Sequence, residues 1–234
     1  MLEIHLLTLF PEAVEGYLRA SILGRAQKAG KLRVHLVNFR DFARDRHRTV
    51  DDRPFGGGPG MVLKPEPIFA AVEWVEERFG PCRKVLLTPV GEPFVQRHAQ
   101  EFARSERLLL LCGRYEGFDE RIREGFEWIE ISLGDFVLSG GEIPALAVID
   151  ATARLIPGVL GDDQSAVEES FTDPRLLDHP HYTRPPVFRG MEVPSLLRSG
   201  DHGAVAAWRR EQALRRTRAR RPDLLGERPP DPQP

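Results

Sequence analysis

Residues 132–146 read SLGDFVLSGGEIPAL, and the fold turns on what the paired glycines in this stretch are for. Phe136, Val137 and Leu138 form an apolar, strand-like segment; Gly140 and Gly141 follow it, and a helical pattern begins at Glu142. Glycines at a strand-to-helix turn mark a place where backbone comes close to something, often a nucleotide, because no Cβ intervenes. The stretch matches neither G-x-G-x-x-G nor G-x-x-x-x-G-K-[ST], so the two common nucleotide fingerprints leave it unexplained.

Outward from it, the first two-thirds of the chain alternates strand-like and helix-like segments. LEIHLLTL (2–9) is a short apolar run, and Pro11 opens a helical pattern that closes near Gly30. KLRVHLVNF (31–39) alternates with period two. RKVLLTPV (83–90) and RLLLLCG (107–113) are continuous apolar runs, as expected of strands buried on both faces. Helical spacing fits 66–79, 93–103 and 142–155. Such alternation predicts an α/β fold with a mainly parallel sheet and helices on both faces. From Pro157 to Asp173 the pattern fails, and GVLGDDQSAVEESFTDP reads as a linker. A proline-rich segment follows, then a short helix and a longer one that starts near Asp201 and is stopped by Pro222; the tail ERPPDPQP reads as disordered.

Composition narrows the function classes. Hydrophobic content of 41% and charged content of 29% over 234 residues are those of a soluble globular chain. The N-terminus has no basic region and places Glu3 and His5 in its only apolar run, which argues against a signal peptide or a membrane span and for the cytoplasm. Two cysteines, Cys82 and Cys112, are too few for a disulfide framework or a zinc finger. Net charge is only -2, yet eight arginines between Arg198 and Arg221 face Asp201 and Glu211 alone, a local +6. That is either a solvated helix face or a surface for nucleic-acid phosphates.

Four segments concentrate glycine with charged or aromatic residues: RHRTVDDRPFGGGPGM (46–61), TPVGEPF (88–94), LCGRYEGFDERI (111–122) and LGDFVLSGGE (133–142). Three follow predicted strands, and ligands of open α/β sheets sit beyond the carboxyl ends of strands. The first strand leads to TLFPEA without glycine, against a dinucleotide site, and Ser139 in VLSGG is not a G-x-S-x-G elbow. His179 and His181 form a lone H-x-H with no further ligand at finger-like spacing, so no metal site is assigned.

These long motifs, with IPGVLG (156–161) and HPHYTRP (179–185), closely resemble the bacterial tRNA (guanine-N1)-methyltransferases of the TrmD type, in the SPOUT superfamily, from about residue 2 to 225. The resemblance implies a SPOUT-type parallel sheet with a C-terminal deep trefoil knot and a small all-α C-terminal domain. Residues 1–157 would be the methyltransferase domain, 158–173 a flexible linker and 174–234 a helical tRNA-binding domain. It also implies a homodimer with active sites at the subunit interface and no membrane association. S-adenosylmethionine is the implied cofactor, in a pocket of Leu87, Pro89, Gly113, Tyr115, Glu116, Gly117, Leu133, Gly134, Asp135, Phe136, Val137, Leu138, Gly140, Gly141 and Pro144. A Mg²⁺ requirement is implied too, with no ligand assignable from sequence.

The implied reaction methylates N1 of the guanosine at tRNA position 37, with a linker carboxylate as general base and Arg154 stabilising charge on O6. The family's base is an Asp before Ser-Phe; AVEESF places Glu169 there, with the same chemistry and one more methylene. Around the tRNA, the resemblance implies His47, Asp51 and Arg53 in the loop receiving the anticodon arm, and Ser165 and Phe171 in the linker. The alternative is a SPOUT-fold RNA-binding relative with impaired catalysis.

Overall fold

The computed structural model describes residues 1–161 and 169–226, and the chain divides into two compact units, Met1–Asp163 and Gln164–Pro234. In order, the first unit contains β1 (Leu2–Thr8), α1 (Pro11–Arg19), α2 (Ser21–Lys28), β2 (Leu32–Asn38), β3 (Asp51–Asp52), β4 (Val62–Leu63), α3 (Pro65–Phe79), β5 (Arg83–Pro93), α4 (Gln96–Ala103), β6 (Arg107–Cys112), α5 (Glu120–Gly125), β7 (Trp128–Ser132) and α6 (Glu142–Ala153). Five of the strands form one sheet in the order β2-β1-β6-β5-β7, every pair parallel.

Why the central strands read as unbroken apolar runs is visible in their packing. Successive side chains point to opposite faces, and both faces are covered. Ile4, Leu6, Leu108, Leu110 and Val85 face one core with residues of α1, α2, α4 and α6. Leu7, Leu109, Leu111 and Leu86 face the other with residues of α3 and α5. Each such leucine removed from water contributes about 1.5–3 kcal/mol, which makes the middle of the sheet the rigid platform for the loops beyond its strand ends.

Three expectations of element placement are corrected. The helical pattern over 11–30 is two helices, because the chain turns at Ala20 and Ser21 takes a φ of 44°. Gly24 permits the break: a Cβ there would lie 2.1 Å from the Arg19 carbonyl oxygen. Phe136–Leu138 is not a strand. The strand of that region is β7, ending at Ser132, and the apolar triplet lies in the loop after it, with Phe136 54% and Val137 84% exposed. Finally, β5 does not stop at Val90. Leu87 and Glu92 both pair with Ile131, so Thr88–Gly91 leaves the ladder and returns to it. Gly91 makes the return possible, since a Cβ there would stand 2.4 Å from the Ile131 nitrogen. As a result α4 begins at Gln96 rather than Pro93.

The second unit contains a two-residue antiparallel pair, β8 (Val187–Phe188) with β9 (Met191–Glu192), and one long helix, α7 (His202–Arg220). The Asp201 side chain caps α7 by accepting from the Ala204 amide at 2.9 Å. Thr217 on α7 accepts from the Leu177 amide at 2.9 Å, fastening the irregular proline-rich segment to the helix. No helix among the described residues is long and apolar enough to cross a membrane.

Candidate active site

Three segments meet at one edge of the sheet: the Thr88–Gly91 excursion within β5, and the loops Gly113–Phe118 and Leu133–Gly141 beyond the carboxyl ends of β6 and β7. Together they wall a cavity of about 430 Å³, within the roughly 300–1,000 Å³ of small-molecule sites. The loop after β7 is stitched to the loop after β6 by an antiparallel Arg114–Gly140 bridge and by the Gly141 amide, which donates to the Gly113 carbonyl at 2.9 Å. Glycine is required at this crossing. A Cβ on Gly141 would lie 2.7 Å from the Cys112 Cα, so a side chain would force the two segments apart.

An ion pair locks the same crossing from behind. Glu142, the first residue of α6 and 5% exposed, receives Arg114 at 3.0 Å and accepts from the Thr8 hydroxyl at 2.7 Å. Arg114 also donates to the Ser139 carbonyl at 3.2 Å and lies over the Phe10 ring. A carboxylate in the first turn of a helix is favoured by the helix dipole. Stripped of Arg114 it would be a buried, uncompensated charge, at a cost of about 3–5 kcal/mol. On the opposite wall Arg123 donates to Glu130 at 3.1 Å and to the Thr88 hydroxyl at 3.3 Å, fixing the excursion of β5.

Of the residues expected around the donor, Leu87, Pro89, Gly113, Tyr115, Glu116, Gly117, Leu133, Gly134, Phe136, Val137, Leu138, Gly140, Gly141 and Pro144 all line this cavity, and Asp135 does not. The wall also includes Ile131, and Thr88, Val90, Arg114, Phe118, Arg123, Ser132 and Ser139, which sequence reasoning did not place around the donor. A signal for some of these existed, since Thr88, Arg114 and Ser139 lie inside the glycine motifs. What was missing was the distance-28 pairing of Arg114 with Glu142.

Of the expected acceptor-side residues in the first unit, Arg154, His47, Asp51 and Arg53 do not line this cavity. Arg154 is the C-cap of α6, half-buried, while the cavity adjoins the other end of that helix at Gly141 and Pro144. At 1.5 Å per residue the 12 residues of α6 put about 18 Å between the two ends. Asp51 lies in the β3–β4 hairpin and Arg53 and His47 are exposed beside it. This hairpin is hydrogen-bonded to the cavity wall: the Glu116 amide donates to the Met61 carbonyl at 3.0 Å and the Leu63 amide to the Gly117 carbonyl at 2.9 Å. In the second unit Glu169 is half-buried, its carbonyl accepting from the Thr172 amide at 3.2 Å, and Phe171 takes a φ of 70°. Ser165 lies outside the described residues.

Among the described residues one set of side chains has metal-ligating character, Asp178, His179 and His181, with ligand atoms within 4.8 Å of one another. Asp178 is the third member that the H-x-H pattern lacked. Two imidazoles and one carboxylate do not suit Mg²⁺, which takes oxygen ligands, and His181 Nε2 is already 2.8 Å from the Asp178 carboxylate.

Known proteins match most of the chain. The family described as tRNA (Guanine-1)-methyltransferase TrmD matches residues 2–227. A tRNA (guanine-N(1)-)-methyltransferase of Chloroflexus aggregans is 58% identical over 94% of this chain and 86% of its own length. Those of Symbiobacterium thermophilum and Bacillus licheniformis are 56% and 52% identical, over 95% and 97% of this chain and 91% and 94% of their own lengths.

Proposed function

Since this chain belongs to the tRNA (guanine-1)-methyltransferase TrmD family and is a tRNA (guanine-N1)-methyltransferase, we propose that its methyl donor is S-adenosylmethionine, held in the cavity beyond β5, β6 and β7, and that its target is N1 of the guanosine at tRNA position 37. The observation that carries this reading is the cavity itself: of the 15 positions expected around the donor, 14 line it. Its wall includes Gly113, Gly117, Gly134, Gly140 and Gly141, where backbone can come close enough to hydrogen-bond the edge of an adenine. When bound, S-adenosylmethionine supplies a methyl group on a sulfonium, an electrophile.

The chain's own groups prepare the acceptor. N1 of guanine carries a proton and is a poor nucleophile until that proton leaves. Glu169 is the base: its carboxylate takes the N1 proton as the N1–carbon bond forms and the carbon–sulfur bond breaks, a contribution of about 10²–10⁴ in rate. Negative charge then shifts to O6, where the Arg154 guanidinium stabilises it. The carboxylate in AVEESF extends one methylene further than the family's Asp, and a rotamer change absorbs the difference.

Geometry supports a site built from two copies of the chain. With about 18 Å between the cavity and Arg154 along α6, the Arg154 of one copy does not reach a methyl group held in its own cavity. The Arg154 of a second copy does so if the cavity lies at a homodimer interface. The chain path is that of the family's trefoil knot, with the loop after β7 pinned to the loop after β6 at Arg114–Gly140. Residues 1–157 are then the knotted methyltransferase domain, 158–173 the linker and 174–234 the tRNA-binding domain, with the α7 arginines on phosphates, a contact that weakens as salt rises. His47, Asp51 and Arg53 face the anticodon arm, and Ser165 and Phe171 flank the base.

The test is transfer of labelled methyl to two tRNA transcripts that differ only in G or A at position 37. Label on the G transcript alone is expected, with Glu169→Gln cutting turnover about 100-fold or more while leaving donor binding unchanged. Label on the A transcript would overturn the target, and an unimpaired Glu169→Gln would overturn the base.

A further inference from the structure

The most exposed aromatic side chain of the first unit is at the tip of the hairpin that borders the cavity. Phe55 is 101% exposed, in the sequence RPFGGGPG between β3 and β4. Its position is built in. Pro54–Gly57 closes a turn through the Gly57 amide and the Pro54 carbonyl at 3.3 Å. Gly56, third in that turn, has a φ of 84°, as a type II turn requires, and this directs the preceding side chain outward. Gly57, Gly58 and Gly60 also take positive φ, and a Cβ at Gly56, Gly57 or Gly58 would meet nothing within 4 Å. The arm thus stands in open space on glycine joints. Its base is fixed: Asp51 pairs with Leu63 and Asp52 with Val62, and the two bonds from the hairpin to Glu116 and Gly117 tie it to the cavity wall.

A hydrophobic ring held wholly in water, on an arm anchored to the active site, calls for an occupant. A second protein surface fits poorly, because Phe55 is the only large apolar side chain between Arg53 and Gly60 and offers no contiguous patch. A nucleobase fits well, since it needs one ring face and nearby cations for its phosphates. Arg53 on the arm, and Arg44 and Arg46 before it, are exposed, and although the Arg53 amide donates to the Asp52 carboxylate at 2.7 Å, the three guanidinium groups form no ion pair among the described residues. Resting on the function proposed above, we infer that Phe55 is a positioning residue that stacks on an unstacked base of the anticodon loop next to the methylated guanosine, holding the splayed loop over the cavity. Stacking of a base on an aromatic ring tolerates any base identity, so Phe55 sets grip and register, and hydrogen-bonding neighbours read sequence.

The experiment compares wild type with Phe55→Ala, Phe55→Leu and Phe55→Trp, using an unmodified tRNA transcript with G at position 37. Phe55→Ala is expected to raise the tRNA KM and Kd roughly 5- to 100-fold, with donor affinity unchanged and kcat nearly so. Phe55→Trp should restore binding, and its indole fluorescence should be quenched by tRNA. Phe55→Leu should stay impaired, because it keeps apolar area without a ring face. Normal tRNA binding by Phe55→Ala, or full rescue by leucine, overturns the stacking. So does a change in sedimentation of Phe55→Ala without RNA, which would make a second copy of the chain the occupant. Failure of the wild type to methylate the transcript would sink the underlying function instead, and quenching of Phe55→Trp by tRNA still reads the contact in that case.

Discussion

The two units of this chain are held together by different means. In the first, both faces of the sheet carry fully buried aliphatic residues, and the glycine loops of the cavity rest directly on that core. In the described part of the second unit only Thr217 and Pro222 are buried, and the segment before α7 is fixed by hydrogen bonds: Leu177 to Thr217, Asp178 to the Ser170 hydroxyl at 2.9 Å, and Arg216 to the Asp178 carbonyl at 2.9 Å. Local opening costs little where few apolar contacts are lost. Under the function proposed above, a small donor with a demanding shape falls to the stiff unit, and a long, charged RNA to the unit that adjusts at low cost.

The largest test of that contrast is Gly141→Val. A side chain at the Gly113–Gly141 crossing meets the backbone of Cys112, which belongs to the central sheet and does not yield. A loss of about 2–4 kcal/mol in urea unfolding of the first unit is expected, with donor binding abolished in calorimetry; full donor affinity would mean the crossing is not the rigid element of the cavity. Next is a pH effect confined to the first unit. The rings of His5 and His35 stack 4.8 Å apart, His5 is wholly buried, and burial followed by the neighbouring His35 lowers its pKa to about 4. The unfolded chain binds that proton near pH 6.5 and the folded chain only near 4. Its contribution, about 3 kcal/mol, is therefore whole above pH 6.5 and is lost as pH falls towards 4. His5→Leu should flatten this acid limb in denaturation curves taken between pH 7 and 4. An unchanged limb would assign it to other groups. The smallest effect belongs to the second unit: Thr217→Val leaves the Leu177 amide without its acceptor and should cost about 1–2 kcal/mol. Hydrogen exchange should quicken around Leu177 and in α7 while β1, β5 and β6 keep their protection, and a uniform change across both units would remove the distinction between them.

Local pattern revealed the stiff unit best. Arg83–Leu87 and Arg107–Cys112 read as strands because both faces of the sheet are covered, and Asp201 and Pro222 bound α7 as their chemistry dictates. It misled where tertiary structure overrode it. Phe136–Leu138 looks like a strand because it is apolar, yet those residues line a cavity from a loop, and β7 in the mixed sequence WIEIS drew no notice. The return of β5 after Gly91 depends on backbone of another strand, and the Arg114–Glu142 pair on residues 28 apart, so neither has a local signature. The glycine loops at strand ends pointed to a small-molecule site unaided. The donor, the knot and the shared site came from the resemblance, because no periodicity encodes them.

In the homodimer proposed above, donor cavity and acceptor-side groups come from different copies of the chain. This arrangement is tested most directly by mixing two inactive variants: Leu138→Glu, which puts a carboxylate on the cavity wall, and Arg154→Ala, which leaves the cavity intact. In a mixed dimer, one site combines the intact cavity of the Arg154→Ala chain with the Arg154 of the Leu138→Glu chain. Co-refolding the two is expected to restore methyl transfer to about a quarter of the wild-type level, since half the dimers are mixed and each holds one complete site. Activity no higher than that of either variant alone would contradict it and return the whole site to a single chain.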